Sequence, residues 1–300
     1  MFFWKSCYGR IVPFAVRLNM DIYNFGKSGQ ARALQAGPSG SAKSKLKPEF
    51  SGESVIGQAG VCFDSANGIL RKFPAGLLNK LQSVSQRVAF KGGEYLYSPD
   101  EEIEWIYFPE TTIISELQIL EDGRTIEVSL TGNEGAVGVT SVFKPSRSLN
   151  WVQVCTPGTA VKVKRQQLRN ETRDLDLVNM LFYGAIQEYV AQLSQKAACN
   201  AHHSVEERFP TWLLMLQNRC EVNHLKLTQE QIARALGVYR PTITYIAHDM
   251  RDQGLIDYVR GTVVIRDIDG LKKRSCGCYS NPAAKNSDLH FTRNENNRIY

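Results

Sequence analysis

LTQEQIARALGVYRPTITYIAHDMRDQGLIDYVRG, residues 227–261, carries the signals of two helices joined by a tight turn. Thr228 and Gln231 have the spacing of a capping box, in which each side chain bonds the other residue's backbone N–H at a helix start. Gly237 supplies the left-handed backbone that a tight turn requires. The first half of this stretch therefore predicts a short helix that ends in a sharp turn.

The second helix is predicted over residues 239–252. Pro241 suits its first turn, where a missing N–H costs little. Its apolar positions recur at helical spacing and are expected to face the core, namely Ile243, Ile246, Ala247 and Met250. Gly254 ends the helix, and two β-rich runs around Arg260 predict a small hairpin. The whole stretch predicts a winged helix-turn-helix, a motif built to read DNA.

The outward face of the second helix holds the candidates for contact with DNA bases, because such helices lie in the major groove. Arg240 leads this set, since arginine paired with guanine is the commonest specific contact. The predicted base-reading residues are Arg240, Pro241, Thr244, Tyr245 and His248. Residues at helix starts and at the wing tip are expected to bind phosphate and set the register, and they are Thr228, Gln229, Tyr239, Thr242 and Arg260.

Upstream of this motif the sequence pattern predicts two further kinds of structure. From residue 87 to about 168, short runs of β-branched and aromatic residues between turn signals predict a small antiparallel roll. An apolar stripe at spacings of three and four then predicts one long helix. The roll and the same helix of a second subunit could each cover that stripe, and we expect both to contribute, with more weight on the dimer. The predicted dimerisation residues are Leu175, Val178, Phe182, Ile186, Tyr189 and Leu193.

These elements predict an α+β chain with an N-terminal jelly-roll type β-roll, a long dimerisation helix and a C-terminal winged helix-turn-helix. A transit peptide and a mistaken upstream start would each explain the composition of the first segment. The expected divisions are a disordered extension over 1–66, the roll over 67–170, the dimerisation helix over 171–200, the DNA-binding domain over 201–279 and a flexible tail over 280–300.

Composition narrows the function classes. The net charge of +6 arises within residues 1–50, which hold eight basic against two acidic residues, so overall basicity is no argument for DNA binding. No apolar run approaches a membrane span, and the seven cysteines have no regular spacing, so we expect a cytoplasmic protein with free thiols. Cys199 could share a helix face with His202 or His203, but two further ligands are not apparent, and Cys276 and Cys278 lack the usual spacing. We therefore predict no metal and no cofactor.

The order of roll, long helix and winged helix-turn-helix resembles the Crp/Fnr superfamily of bacterial transcription regulators. The resemblance covers roughly residues 68–279 and is carried by several short motifs, among them HSVEER at 203–208, LTQE at 227–230, LGV at 236–238, RPT at 240–242 and GLI at 254–256. It implies a cyclic-nucleotide-binding-like roll domain. In cyclic-AMP-binding members that roll uses a Gly-Glu pair and an Arg-Ser or Arg-Thr pair.

This chain departs from that pattern at both pairs. Glu134 follows Asn133 rather than glycine, and Arg147-Ser148 comes a residue too early relative to the strand that follows. A cyclic phosphate needs converging charge and donors, so we expect that cyclic AMP does not bind. If an effector exists, Glu134, Arg147 and Ser148 are the candidates for its site.

The leading hypothesis is a homodimeric, sequence-specific regulator of transcription that binds a palindromic operator, with the roll domain modulating binding. RNA polymerase is a further candidate partner, and any small-molecule effector is unidentified. The alternative is a ligand- or redox-sensing protein whose winged helix contacts protein rather than DNA. Motifs for phosphate loops, nucleophile elbows and zinc proteases are absent from the sequence, so we do not expect an enzyme.

Overall fold

The structure of the chain, a computed structural model, describes residues 54–55, 65–220 and 222–278. The extension expected over 1–66 lies almost entirely outside these residues, and the tail expected over 280–300 lies wholly outside them. Ser54–Val55 correct one boundary, because they form a strand paired with residues 88–89. Two residues are too few to show an alternating pattern, so the sequence could not reveal this strand.

Two four-stranded antiparallel sheets form the roll, and their inward side chains share one hydrophobic core. The strands are β1 (Ser54–Val55), β2 (Ser85–Phe90), β3 (Tyr95–Tyr97), β4 (Trp105–Pro109), β5 (Ile113–Ile119), β6 (Thr125–Thr131), β7 (Trp151–Thr156) and β8 (Gly158–Lys164). One sheet has the order β1-β2-β8-β4 and the other β3-β7-β5-β6. The predicted antiparallel roll is confirmed.

Helices cover the roll and continue the chain beyond it. After a single 3-10 turn at Leu70–Lys72, the helices are α1 (Ala75–Gln82), α2 (Thr140–Phe143), α3 (Arg165–Thr172) and the long α4 (Asp176–His202). Leu175 is the N-cap of α4. The apolar stripe therefore does mark a long helix.

The inner face of α4 packs against the roll of its own subunit, so two of the predicted dimer residues are covered within that subunit. Val178 and Phe182 are fully buried in the roll core, and the Phe182 ring meets the Phe73 ring edge-on at 5.9 Å. Leu175 and Ile186 are partly buried against the same core. Tyr189 is also turned toward the roll, where its hydroxyl donates to a carboxylate of β5 at 2.8 Å. Val178 and Phe182 are therefore not available to a second subunit, whereas Leu175, Ile186, Tyr189 and Leu193 are only partly buried, and their contact with a second subunit stays a prediction.

A second hydrophobic core organises the C-terminal part of the chain. Its elements are α5 (Val205–Cys220), β9 (His224–Lys226), α6 (Gln229–Leu236), α7 (Arg240–Asp252), β10 (Ile256–Val259), β11 (Thr262–Ile265) and α8 (Ile268–Arg274). The three strands form an antiparallel sheet in the order β10-β11-β9. This arrangement of α6, α7 and a hairpin is the predicted winged helix-turn-helix.

Buried polar contacts join the roll to α4 and α5. Glu127 of β6 is 1% exposed and accepts from Trp212 Nε1 at 2.8 Å, Lys196 Nζ at 3.1 Å and Ser115 Oγ at 2.7 Å. The apolar side chains of Ile113 and Leu130 add to the second core from the roll side. Because a buried carboxylate needs partners for its charge, these contacts fix where α5 meets the sheet.

Candidate nucleic-acid interface

The helix-turn-helix is built by the local signals that the sequence contains. The backbone N–H of Gln231 donates to Thr228 Oγ1 at 3.2 Å, and Gln231 Oε1 accepts from the backbone of Thr228 at 2.8 Å, which confirms the capping box. Gly237 has φ +67°, and a Cβ there would lie 3.0 Å from the side chain of Ile126. A glycine is therefore required at this turn for both its backbone conformation and its space.

Helix α7 begins as predicted and buries the predicted face. Tyr239 is its N-cap, Pro241 lies in its first turn, and Ile243, Ile246, Ala247 and Met250 are buried. All five predicted base-reading residues, Arg240, Pro241, Thr244, Tyr245 and His248, are exposed on the opposite face. The structure thus brings these five side chains together on one surface.

The exposed side chains of α7 differ in whether they already make hydrogen bonds or ion pairs with other described residues. Thr244 Oγ1 donates to Gln229 Oε1 at 2.8 Å, so it ties α7 to the start of α6. His248 lies between Asp252, at 3.1 Å from Nδ1, and an arginine of the next turn. The Arg240 guanidinium, in contrast, makes no ion pair or hydrogen bond within the described residues. It is available for an external acceptor at the N-terminal end of the helix, where such motifs meet base edges.

The predicted phosphate contacts surround this helix. Thr228, Tyr239, Thr242 and Arg260 are exposed, and Gln229 is half-buried. Arg260 is at the tip of the wing with φ +47°, followed by a glycine at +76°. The wing itself is held to the helices, because Tyr258 donates its hydroxyl hydrogen to the carbonyl of Leu227 at 2.8 Å.

The predicted effector residues line one cavity, but the structure gives them other partners. A cavity of about 820 Å³ between the roll and α4 is bordered by Glu134, Arg147 and Ser148. Glu134 Oε1 accepts from Arg219 Nε at 2.7 Å, so this carboxylate is a structural link to α5, and a role for it toward an effector stays a prediction. Arg147 donates to the carbonyl of Asp100, and Ser148 Oγ donates to a neighbouring carbonyl at 2.7 Å. The three groups do not converge on one point as free donors.

Comparisons with known proteins agree with this architecture. Residues 207–274 match the family described as the Crp-like helix-turn-helix domain. A Crp/Fnr-family regulator from Eubacterium rectale has the same fold, with 14% identity, a TM-score of 0.55, and 69% of this chain and 96% of that one covered. Residues 207–274 are thus similar to a Crp-like helix-turn-helix domain, and the chain has the fold of Crp/Fnr-family regulators. FixK2 from Bradyrhizobium japonicum is similar in fold as well, with 18% identity, a TM-score of 0.56 and 64% and 98% covered.

Curated relatives of this chain are regulators as well. A global nitrogen regulator of Nostoc sp. is 22% identical over 185 residues, which is 59% of this chain and 83% of the relative. A CRP-like cAMP-activated global transcriptional regulator of Mycobacterium tuberculosis is 23% identical over 231 residues, which is 74% and 99% of the two chains. The protein is a DNA-binding transcription regulator with a helix-turn-helix and a cyclic-nucleotide-binding-like roll. Within the described residues, no helix is both long and apolar enough to cross a membrane.

Proposed function

We propose that this protein binds a palindromic DNA site as a homodimer, with α7 of each subunit in the major groove. The unpartnered Arg240 guanidinium, exposed at the N-terminal end of α7, is the observation that carries the proposal. Arginine donates bidentately to guanine O6 and N7, which gives this residue the leading role in reading sequence. Tyr245 is 73% exposed. Together with Thr244 and Pro241 it adds stacking and apolar contact. The protein is expected to act by binding rather than by catalysis. RNA polymerase is a further candidate partner, and the cytoplasm is the expected location.

The proposed dimer contact is the outer face of α4, not its buried stripe. Leu177, Met180 and Val190 are about half exposed on this helix, although all are apolar. The seam alternates spacings of three and four, as the a and d positions of a coiled coil do, through Leu177, Met180, Gly184, Gln187, Ala191, Ser194, Ala198 and Ala201. Small residues recur every seventh position, at Gly184, Ala191 and Ala198, so two such helices can approach closely.

An effector, where one acts, would bind in the cavity between the roll and α4. Its volume of about 820 Å³ is that of a small-molecule site, and it is bordered both by the roll and by seam residues such as Met180 and Gly184. A ligand there would favour whichever arrangement of α4 it fits better, and this preference is how binding at the roll shifts DNA occupancy. We do not extend cyclic AMP activation from the mycobacterial relative, because Glu134 is paired with Arg219.

Replacement of Arg240 by alanine tests the reading role. We expect a loss of about 1 to 3 kcal/mol at the selected site and a relaxed preference at one base pair, measured by gel-shift titration on a set of single-base variants. Arg173→Ala is the matched control, because Arg173 is an exposed arginine at the roll end of α4. Equal losses for the two variants, or unchanged binding by Arg240→Ala, would remove Arg240 from base readout.

A charge placed in the seam tests the dimer. Ala191→Glu sets two carboxylates against each other in the proposed contact, so we expect monomers in sedimentation velocity and at least about 100-fold weaker DNA binding through lost avidity. Ala75→Glu, on an exposed position of α1, makes the same substitution outside the seam and should leave the dimer intact. A dimer that persists in Ala191→Glu would contradict the assignment.

A further inference from the structure

Three cysteines and one histidine from two distant segments meet at the end of α4. Cys199 lies in the last turn of that helix, His203 is its C-cap, and Cys276 and Cys278 follow α8. The three sulfurs and one ring nitrogen all lie within 4.8 Å of one another. The sequence predicted no metal site because two ligands were missing beside Cys199. The fold supplies them from the other end of the winged-helix unit.

We propose that these four side chains bind one Zn²⁺ ion in a closed Cys₃His site. Zinc lies about 2.3 Å from sulfur and about 2.0 to 2.1 Å from imidazole nitrogen, so tetrahedral ligands are separated by about 3.6 to 3.8 Å. Cys278 Sγ and His203 Nδ1 are 3.7 Å apart. An iron–sulfur cluster needs room for several iron and sulfide atoms between its ligands, and this spacing suits a single ion instead.

The surroundings of the cluster match those of a metal–thiolate site. Gln195 Nε2 lies 3.6 Å from Cys199 Sγ, and Thr211 Oγ1 accepts from the Cys276 backbone and touches its sulfur at 3.0 Å. Arg208 borders the same cavity as Cys199, Cys276 and Cys278. Three thiolates around Zn²⁺ leave one net negative charge, which this arginine balances. Such donors to sulfur and such nearby charges orient ligands and tune affinity for the metal.

Two further properties favour a structural ion over reactive thiols. Cys199 is 7% exposed and Cys276 is 3% exposed, so half of the ligand set is shielded from solvent. Arg208 Nε, on a residue that borders the same cavity as the cluster, is buried without a hydrogen-bond partner in the described part of the chain, so a donor is left free on this side of the site. All four tetrahedral positions are filled by protein, which is the pattern of structural rather than catalytic zinc.

The ion would hold the winged helix-turn-helix in a fixed position relative to α4. Cys199 and His203 lie at the end of α4, just before α5, and Cys276 and Cys278 end the segment that contains the whole winged helix. Closing a chain segment this long removes much of the freedom of its ends. We therefore expect zinc to raise the melting temperature and to strengthen DNA binding by fixing α7 relative to α4.

The first test measures bound metal in the full chain, purified under reducing conditions with ZnCl₂ supplied. We expect one zinc per chain in the wild type and in Cys220→Ser, and none in Cys278→Ser. Cys220 is the matched control because it is a partly buried cysteine outside the cluster. Equal zinc in the two variants, iron with acid-labile sulfide in place of zinc, or a disulfide among the cluster cysteines with no metal bound would each overturn the proposal.

A second test does not depend on a ligand deletion that could unfold the chain. CoCl₂ added to metal-free protein should give the intense visible bands of tetrahedral cobalt and a near-ultraviolet thiolate charge-transfer band. His203→Cys keeps four ligands, so it should retain the ion and show stronger charge transfer, whereas His202→Gln should match the wild type. A cobalt spectrum in which His203→Cys does not differ from the wild type would exclude His203 from the site.

Discussion

The ion pair between Glu134 and Arg219 predicts a strong, non-additive effect on stability. Arg219 Nε lies 2.7 Å from Glu134 Oε1, and the two side chains are 2% and 11% exposed. Arg219 also donates from Nη1 to the carbonyl of Met215 at 3.0 Å, while the backbone N–H of Gly132 donates to the same carboxylate at 3.2 Å. The pair therefore links α5 to the turn after β6, and removing one partner leaves the other charged and buried.

The magnitude follows from this burial. Two unit charges about 4 Å apart attract by about 4 kcal/mol at an effective dielectric constant of about 20. Breaking a buried pair by removing one partner costs about 3 to 5 kcal/mol, whereas replacing both by apolar groups of similar volume is close to neutral. We expect Glu134→Leu and Arg219→Met each to lower the free energy of unfolding by about 3 to 5 kcal/mol. The double variant should lose far less than the sum of the two.

Urea unfolding at fixed protein concentration measures all four proteins of this cycle. With a slope of about 3 kcal/mol per molar urea, each single variant should shift the midpoint by about 1 to 1.7 M, and the double variant by under about 0.5 M. Glu134→Gln, which keeps an oxygen acceptor for Arg219, should lie between Glu134→Leu and the wild type. Additive losses would refute the buried pair. An unchanged midpoint in Glu134→Leu would restore Glu134 as a candidate effector ligand.

Two further predictions concern the winged helix-turn-helix. Thr228→Ala removes the cap of α6 and should lower the free energy of unfolding by about 1 kcal/mol in the same urea assay, whereas Thr228→Ser should retain most of it. Arg274 donates to Asp249 and holds the pKa of that carboxyl below its ordinary value. This link therefore stabilises the fold above the unfolded pKa of about 4 and is lost as the pH falls through the lowered folded pKa. Thermal melts of wild type and Arg274→Gln should therefore converge as the pH is lowered below about 4, and a difference that does not change with pH would contradict the link.

The helix-turn-helix was predictable because its signals are local. The Thr228 cap, the Gly237 turn and Pro241 each act within one or two helical turns, so short stretches of sequence fix α6 and the start of α7. The face of α7 follows from periodicity alone, since the buried and exposed positions alternate with the helical repeat. Five candidate base contacts could therefore be placed on one exposed surface from the sequence.

Contacts between segments that are far apart in the sequence could not be predicted from local sequence patterns. The stripe through Val178 and Phe182 predicts a helix but not which surface covers it, and the roll of the same subunit does. Glu134 and Arg219 are 85 residues apart, and no spacing rule relates them. The cysteine cluster likewise joins the end of α4 to the residues after α8. In each case the partner is set by the packing of whole elements, which a single sequence does not display.

Selection of genomic DNA fragments by the purified protein, followed by measurement of the subunits bound per site, tests whether this protein reads a DNA sequence as a dimer. We expect a two-fold symmetric site with half-sites about one helical turn, roughly 34 Å, apart, occupied by two chains and bound about 1 to 3 kcal/mol more weakly by Arg240→Ala. Binding that falls steeply with salt but shows no sequence preference, or one chain bound to an asymmetric site, would contradict it.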